Sequence, residues 1–204
     1  MKKLTPDEMG QRKIVERVKS VLGDRYIDIE IQQMMIHEDL ISEVTEVHCR
    51  LTLRDEVIQV EANGSGLVDS LFKGIKHKLA ARYYSFEEIT FEDFTIDIDP
   101  TTRRKKVGTD VEVAVGVVVA NSRGVRQHFN SNAKSFNTAS VRSVLKAIEY
   151  YLNCEVAVVL LKELIKDAQE RNRPDLEMRY IRSLSDIIPS TSYVKTIEKW
   201  KEKN

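Results

Sequence analysis

The chain has 204 residues, of which 42% are hydrophobic, so it is long enough to bury a core of ordinary size. Lysines and arginines total 32 and so do aspartates and glutamates; the formal net charge is therefore zero, and no overall basic field favours nucleic acid. The short basic run at 103–106 is interpreted as a solvated loop rather than a nucleic-acid contact.

No segment predicts export or membrane insertion. Residues 1–8 have a basic start but no apolar run behind it, and no stretch approaches the roughly 20 apolar residues of a membrane helix. Cys49 and Cys154 lie far apart, and the four histidines are scattered without paired spacing. We therefore expect a cytoplasmic protein with free thiols, no metal site and no cofactor.

The N-terminal part predicts a helix followed by a strand. Residues 5–22 place apolar side chains on one helical face, with Pro6 in the first turn and Gly23 at the end. Residues 26–31 alternate between apolar and polar, which is typical of a strand. The segment 32–42 gives no clear pattern.

The first of two similar motifs comes next. Residues 44–53 and 57–62 predict two strands, 63–66 form a loop rich in Asn and Gly, and an amphipathic helix reaches about Arg82. A further strand is predicted at 89–98.

The second motif repeats this order. Residues 111–120 predict a buried strand and 125–129 its return strand, joined by a turn at 121–124. A loop of Asn, Ser and Ala follows, and then a helix capped by Asn137 or Thr138 that continues through Asn153. Two copies indicate pseudo-twofold symmetry.

The C-terminal part carries only helical patterns. Helices are predicted to about Arg171, over 175–187 and over 193–203, with breaks at Pro174 and Pro189. The fold class we predict is α+β: two pseudo-symmetric ββα units with strand pairs packed on helices, plus helical extensions at both ends. The expected division is 1–27 for the N-terminal extension, 28–153 for the repeat domain and 154–204 for the C-terminal extension.

The first loop has two chemical interpretations. Gly64 and Gly66 can adopt positive φ and admit a close neighbour, and the helix that follows offers free N–H groups that could hold a carboxylate. The same glycines could equally supply only a tight turn. Asp69, in the first helical turn, could contact an ammonium group or simply stabilise the positive end of the helix.

Residues 64–75, which read Gly-Ser-Gly-Leu-Val-Asp-Ser-Leu-Phe-Lys-Gly-Ile, resemble a known motif, G-x-G-P-V-D-A-x-F-x-A-I. That motif belongs to the C-terminal regulatory domain of 2-isopropylmalate synthase and of its relatives, the citramalate and homocitrate synthases. Segments 94–96 and 109–113 and the helix end at 147–153 resemble later pieces of the same domain. The resemblance spans about 28–153.

The resemblance implies a domain that dimerises and binds an end-product amino acid, leucine or isoleucine, near the interface. In that family the bound amino acid feeds back on a separate TIM-barrel catalytic domain. The residues that the resemblance implies for the ligand are Gly64, Ser65, Gly66, Val68, Asp69, Phe72, Asn137 and Thr138.

The chain departs from the family pattern at several positions. Leu67 replaces the proline of the motif, and Asn130 and Asn132 lie where the second loop has glycines. The acidic residue that usually follows that loop aligns with Asn137 or Ala139. No H-x-H metal pair occurs, and 204 residues cannot hold a TIM barrel as well as this domain.

We therefore expect no catalytic residues and no enzyme activity. The predicted function is a stand-alone regulatory and dimerisation module, a homodimer that binds a branched-chain amino acid and acts on a partner synthase in trans. The alternative is a structural or interaction protein that kept the fold and lost the effector. A small enzyme is a third class, but the sequence offers no catalytic set for it.

Overall fold

The computed structural model describes residues 6–98 and 112–191. The predicted helix at 193–203 and residues 109–111 of the second motif lie outside these ranges. Helices are α1 Pro6–Leu22, α2 Leu67–Ala80, α3 Ser85–Glu88, α4 Phe136–Glu170 and α5 Pro174–Ile187. Strands are β1 Ile29–Asp39, β2 Val44–Leu53, β3 Glu56–Gly64, β4 Thr90–Ile98, β5 Val113–Ala120 and β6 Arg126–Ala133.

The strands form two antiparallel sheets, with orders β1-β2-β3 and β4-β5-β6. Each sheet is followed by a helix, so the chain contains two consecutive units, β1–β2–β3–α2 and β4–β5–β6–α4, here called unit 1 and unit 2. The predicted α+β class with two similar units and terminal helices is confirmed. Each predicted strand pair has a third strand in front of it.

Strand β1 is longer than its sequence pattern indicated, because a β-bulge changes the phase of its alternation. The pairing with β2 shifts between Ile31 and Gln33. Ile29 and Ile31 face inward before the bulge, and Met34 and Ile36 face inward after it. Residues 32–39 therefore continue the strand although they break a period of two. Strand β4 has an equivalent shift between Phe91 and Asp93.

The loop of unit 2 is shorter than predicted. Residues 130–133, expected in the loop, continue β6, where Asn130 pairs with Gly116 and Asn132 with Ala114. Ser131 is buried on the same face as Phe129, because a small polar side chain fits there. The predicted caps of the following helix, Asn137 and Thr138, were also wrong. The cap is Ser135, whose Oγ accepts a hydrogen bond from the Thr138 N–H at 3.4 Å.

Helix α4 is one continuous helix of 35 residues that runs across Asn153 and Cys154. Its middle is buried against both units; Tyr151, Leu152 and Ala157 are fully enclosed. The division of the chain at this point stays a prediction.

Polar side chains on α4 hold the preceding segments in place. The Asn153 amide accepts from the Ile27 N–H and donates to the Ile27 carbonyl, both at 2.8 Å. The buried Glu155 carboxylate accepts from the N–H groups of Tyr84 and Ser85 at 2.9 and 2.6 Å. These bonds fix the segments before β1 and before β4 on the same helix, and thereby set the position of both sheets.

Candidate functional site

A cavity of about 420 Å³ lies between the two units, beside the first turns of α2 and α4. We call it the inter-unit cavity. Its walls come from both sheets and both helices. The lining residues are Ile36, Glu38, Thr45, Ser65, Gly66, Leu67, Val68, Asp69, Phe91, Phe94, Phe136 and Asn137.

Asp69 is held in one position in the first turn of α2. Its Oδ2 accepts from the Ser65 N–H at 3.2 Å, from the Ser65 hydroxyl at 3.4 Å and from the Lys73 ammonium at 2.7 Å. The Asp69 side chain stays 24% exposed. One oxygen of the Asp69 carboxylate thus bonds to neighbours on its own segment of chain, while the residue still lines the cavity.

The two glycines before α2 have different roles. A Cβ on Gly64 would lie 2.5 Å from Asp69 Oδ2 and 2.9 Å from Ser70 Oγ, so a side chain here would have to displace the Asp69 carboxylate. Gly66 has φ 168°, an extended conformation that any residue adopts, and a Cβ there would meet no atom within 4 Å. The positive φ expected at these glycines was therefore wrong, whereas the close approach of a neighbour is confirmed at Gly64.

The first turns of the two helices also differ. Gly66 caps α2 without a side-chain hydrogen bond, and the residues that begin this helix line the inter-unit cavity. In α4, the Ser135 side chain accepts from the Thr138 N–H, so one of the first N–H groups of that helix already has a partner. An anion that entered the cavity would therefore find its strongest partners at the N-terminus of α2.

Aromatic rings form the opposite wall. Phe94 and Phe136 pack edge to face with ring centroids 6.2 Å apart, which joins β4 to the start of α4. Phe91 lies against Phe72 at 5.6 Å. Together with Ile36, these rings give the cavity an apolar surface of the size that a branched aliphatic group would cover.

The lining has carboxylates but no lysine or arginine among its twelve residues. Glu38 and Asp69 can attract a cationic group, and the open turn of α2 can hold a carboxylate. The neighbouring cation Lys73 is paired with Asp69, and the Lys76 ammonium donates to the Ile89 carbonyl at 2.7 Å. The arrangement suits a zwitterion with an apolar side chain.

The structure brings together most of the residues proposed from the sequence. Ser65, Gly66, Val68, Asp69 and Asn137 line the inter-unit cavity. Gly64 lies beneath Asp69, and Phe72 lies behind Phe91, buried to 2% exposure. Thr138 is exposed and does not line the cavity; its N–H serves the cap of α4.

Sequence reasoning missed the walls that β1 and β4 supply. Ile36 and Glu38 belong to the part of β1 beyond its bulge, and the pairing of the two units across the cavity has no sequence signal. Phe91 and Phe94 did carry a signal, since both lie in a predicted strand rich in aromatic residues.

Neither a metal-binding cluster nor a membrane-spanning helix lies in the described part of the chain. Within residues 6–98 and 112–191 no group of three or more His, Cys, Asp or Glu side chains is placed to hold a metal ion. In the same ranges no helix is both long and apolar enough to cross a membrane.

Comparison with known proteins identifies the domain. No curated protein matches the chain. The family described as the LeuA allosteric (dimerisation) domain matches residues 8–152, which is more than half of the 204 residues and covers unit 1 and unit 2 up to the middle of α4. The matched domain is regulatory and dimerising rather than catalytic. The chain therefore belongs to the LeuA allosteric (dimerisation) domain family.

Proposed function

We propose that this chain is an effector-sensing module that binds a branched-chain amino acid in the inter-unit cavity, forms a homodimer and acts on a partner synthase in trans. The observation that carries the proposal is the composition of that cavity. An uncapped helix N-terminus, the Asp69 carboxylate and a wall of aliphatic and aromatic side chains surround a volume of about 420 Å³.

Each group of the ligand has a chemical partner in the cavity. The amino-acid carboxylate binds the first N–H groups of α2, where the helix dipole adds to the hydrogen bonds. The ammonium group lies near Asp69 and Glu38. The branched side chain packs against Phe91, Phe94 and Ile36, away from water.

Coupling to the fold follows from the position of the cavity. A ligand there contacts unit 1 through α2 and unit 2 through Phe94 and Phe136, so binding stabilises one arrangement of the two units. A partner that binds only that arrangement would therefore respond to the amino-acid concentration.

A thermal-shift screen against the twenty amino acids and the branched-chain 2-oxo acids tests the proposal. A ligand at 100 times its dissociation constant should stabilise the folded protein by about 2.7 kcal/mol. We expect a selective response to leucine, isoleucine or valine. Asp69→Asn should weaken that response while Asp167→Asn, on the exposed face of α4, leaves it unchanged.

A structural role without effector is the second candidate, and the closed first turn of α4 favours it. Ser135 caps that helix, and the second loop lacks the glycines of the family motif. A stable dimer that responds to none of the screened compounds would support this role and reject the sensor.

A further inference from the structure

A second cavity lies outside the inter-unit cavity and shares none of its lining residues. It has a volume of about 410 Å³ and is lined by α1, the segment before β1, β6 and α4. We call it the α1 cavity. Its size falls within the roughly 300–1,000 Å³ of small-molecule sites.

The inner surface of the α1 cavity is apolar and fixed. Val15 from α1, Phe129 from β6 and Tyr150 from α4 line it. The rings of Phe129 and Tyr150 pack edge to face at 5.4 Å, and the Tyr150 hydroxyl donates to Ser190 Oγ at 2.7 Å. Because these contacts hold the rings in place, the apolar surface is formed before any ligand arrives.

The charged residues of the cavity come from two helices and leave an excess of positive charge. The cations are Arg12, Lys19 and Lys146, and the carboxylate among the lining residues is Glu149. Arg12 also pairs with Glu16 at 3.1 Å on the exposed side of α1. Beyond the lining, Arg142 acts on Lys146 and Asp28 acts on Glu149, so four cations against three carboxylates leave one net positive charge.

The remaining polar contacts orient these groups. The Tyr26 hydroxyl donates to Glu149 Oε1 at 2.8 Å, and the Lys19 ammonium lies 4.8 Å from the centre of the Tyr26 ring. The Lys146 ammonium donates to the Asn130 carbonyl at 2.7 Å. Partial burial lowers the pKa of Lys146 and raises the pKa of Glu149. A nearby anion would favour the charged form of Lys146 and so raise its pKa again.

We infer that the α1 cavity is a second ligand site, for a small organic monocarboxylate with an aromatic or branched aliphatic body. The carboxylate lies toward Lys146 and Arg12, and the body packs between Val15, Phe129 and Tyr150. An occupant of this site bridges α1 and α4, so its binding stabilises the packing of the N-terminal helix on unit 2.

Two-dimensional amide NMR of the full chain tests the site with phenylacetate and 4-methylpentanoate as probes. We expect saturable shifts at residues 12–19, 128–130 and 146–150, and none at 64–69. The neutral analogue phenylacetamide should bind about tenfold more weakly or worse, because it lacks the charge that the cations attract.

Variants separate recognition from a general loss of structure. Lys146→Met should weaken phenylacetate binding about tenfold, Lys146→Arg should retain it, and Arg12→Gln, at an exposed position, should weaken it about threefold. Lys166→Met is the matched control, because Lys166 lies on the same helix about 30 Å further along. It should bind like the parent chain.

Three results would overturn the inference. The first is no saturable shift with either acid up to about 10 mM. The second is equal binding of phenylacetate and phenylacetamide. The third is a set of shifts confined to 64–69, which would place the acids in the inter-unit cavity instead.

Discussion

Units 1 and 2 have the same order of elements and the same bulge in the first strand, yet their helices meet their sheets differently. Gly74 of α2 and Ser143 of α4 each lie eight residues beyond the N-cap. A Cβ on Gly74 would lie 2.7 Å from both Ala62 Cβ and Val60 Cγ1. In unit 2, the Ser143 hydroxyl donates instead to the Val115 carbonyl at 2.8 Å.

The difference extends to the helix N-termini. Unit 1 keeps α2 without a side-chain cap, with Asp69 beside the inter-unit cavity, whereas unit 2 caps α4 with Ser135 and offers Phe136 as an apolar wall. One fold used twice thus gives the cavity its carboxylates from unit 1 and its aromatic rings from unit 2. Unit 2 also extends its helix to Glu170, which carries the C-terminal segment.

Substituting the residue at the contact between helix and sheet should have the largest effect on stability. Gly74→Ser forces α2 away from β3, because the Cβ of Ala62 cannot rotate aside, and should lower the free energy of unfolding by about 1–3 kcal/mol. Chemical denaturation measures this change. Ser143→Ala, which only removes one hydrogen bond, should cost about 1 kcal/mol. A larger cost for Ser143→Ala than for Gly74→Ser would refute the difference in packing.

Substitutions at the two glycines before α2 should also have unequal effects on stability. Gly64→Ala displaces Asp69 and should cost about 1–2 kcal/mol, together with any amino-acid binding that depends on that carboxylate. Gly66→Ala meets open space in an extended conformation and should change stability by less than about 1 kcal/mol. Thermal melts of both variants, with and without leucine, check this order. A more damaging Gly66→Ala would show that the loop geometry is misassigned.

Removing the cap of α4 should have a smaller effect. Ser135→Ala leaves the Thr138 N–H without its side-chain acceptor and should cost about 1 kcal/mol or less, since the hydrogen bond is long and exposed. Denaturant titration gives the value. Thr138→Ala is the control and should be close to neutral, because only the backbone of that residue takes part in the cap.

The smallest effect concerns pH. Burial raises the pKa of Glu149, and the hydrogen bond from Tyr26 opposes this only in part. A raised carboxyl pKa means that the folded protein binds the proton more tightly than the unfolded chain, so stability falls as pH rises past the ordinary value of about 4.3. The free energy of unfolding of Glu149→Gln, taken relative to that of the parent, should therefore be higher near neutral pH than at about pH 4. Denaturation at both pH values measures it, and the opposite trend would contradict the assignment.

Much of the fold could be predicted from the sequence because its signals are local. Helices α1, α2 and α5 and strand β2 follow regular periodicities, β5 is a continuous apolar run, and α1 and α5 end close to Gly23 and Pro189. The far part of β1 could not be predicted, since one bulge reverses the alternation on which a strand prediction depends. The end of β6 was missed because Ser131 and Asn132 resemble loop residues when their pairing partners are unknown.

The candidate site was predicted at the start of α2 and at Asn137 of unit 2, but not on β1. Ser65, Gly66 and Asp69 lie within one motif, so their proximity follows from the start of a helix. Glu38 and Phe136 reach the same cavity from segments far apart in sequence, and only the packing of one unit on the other brings them there. The α1 cavity could not be predicted for the same reason, because Val15, Phe129 and Tyr150 each have the pattern of ordinary core residues.

Isothermal titration of the purified chain with leucine, isoleucine and valine, compared with Asp69→Asn, tests the central claim most directly. The account predicts saturable binding of at least one of these amino acids to the parent chain and about tenfold or more weaker binding to the variant, because the ammonium group loses its anionic partner. Binding that is unchanged in Asp69→Asn, or no binding of any of the three, would contradict the assignment of the inter-unit cavity as an amino-acid sensor.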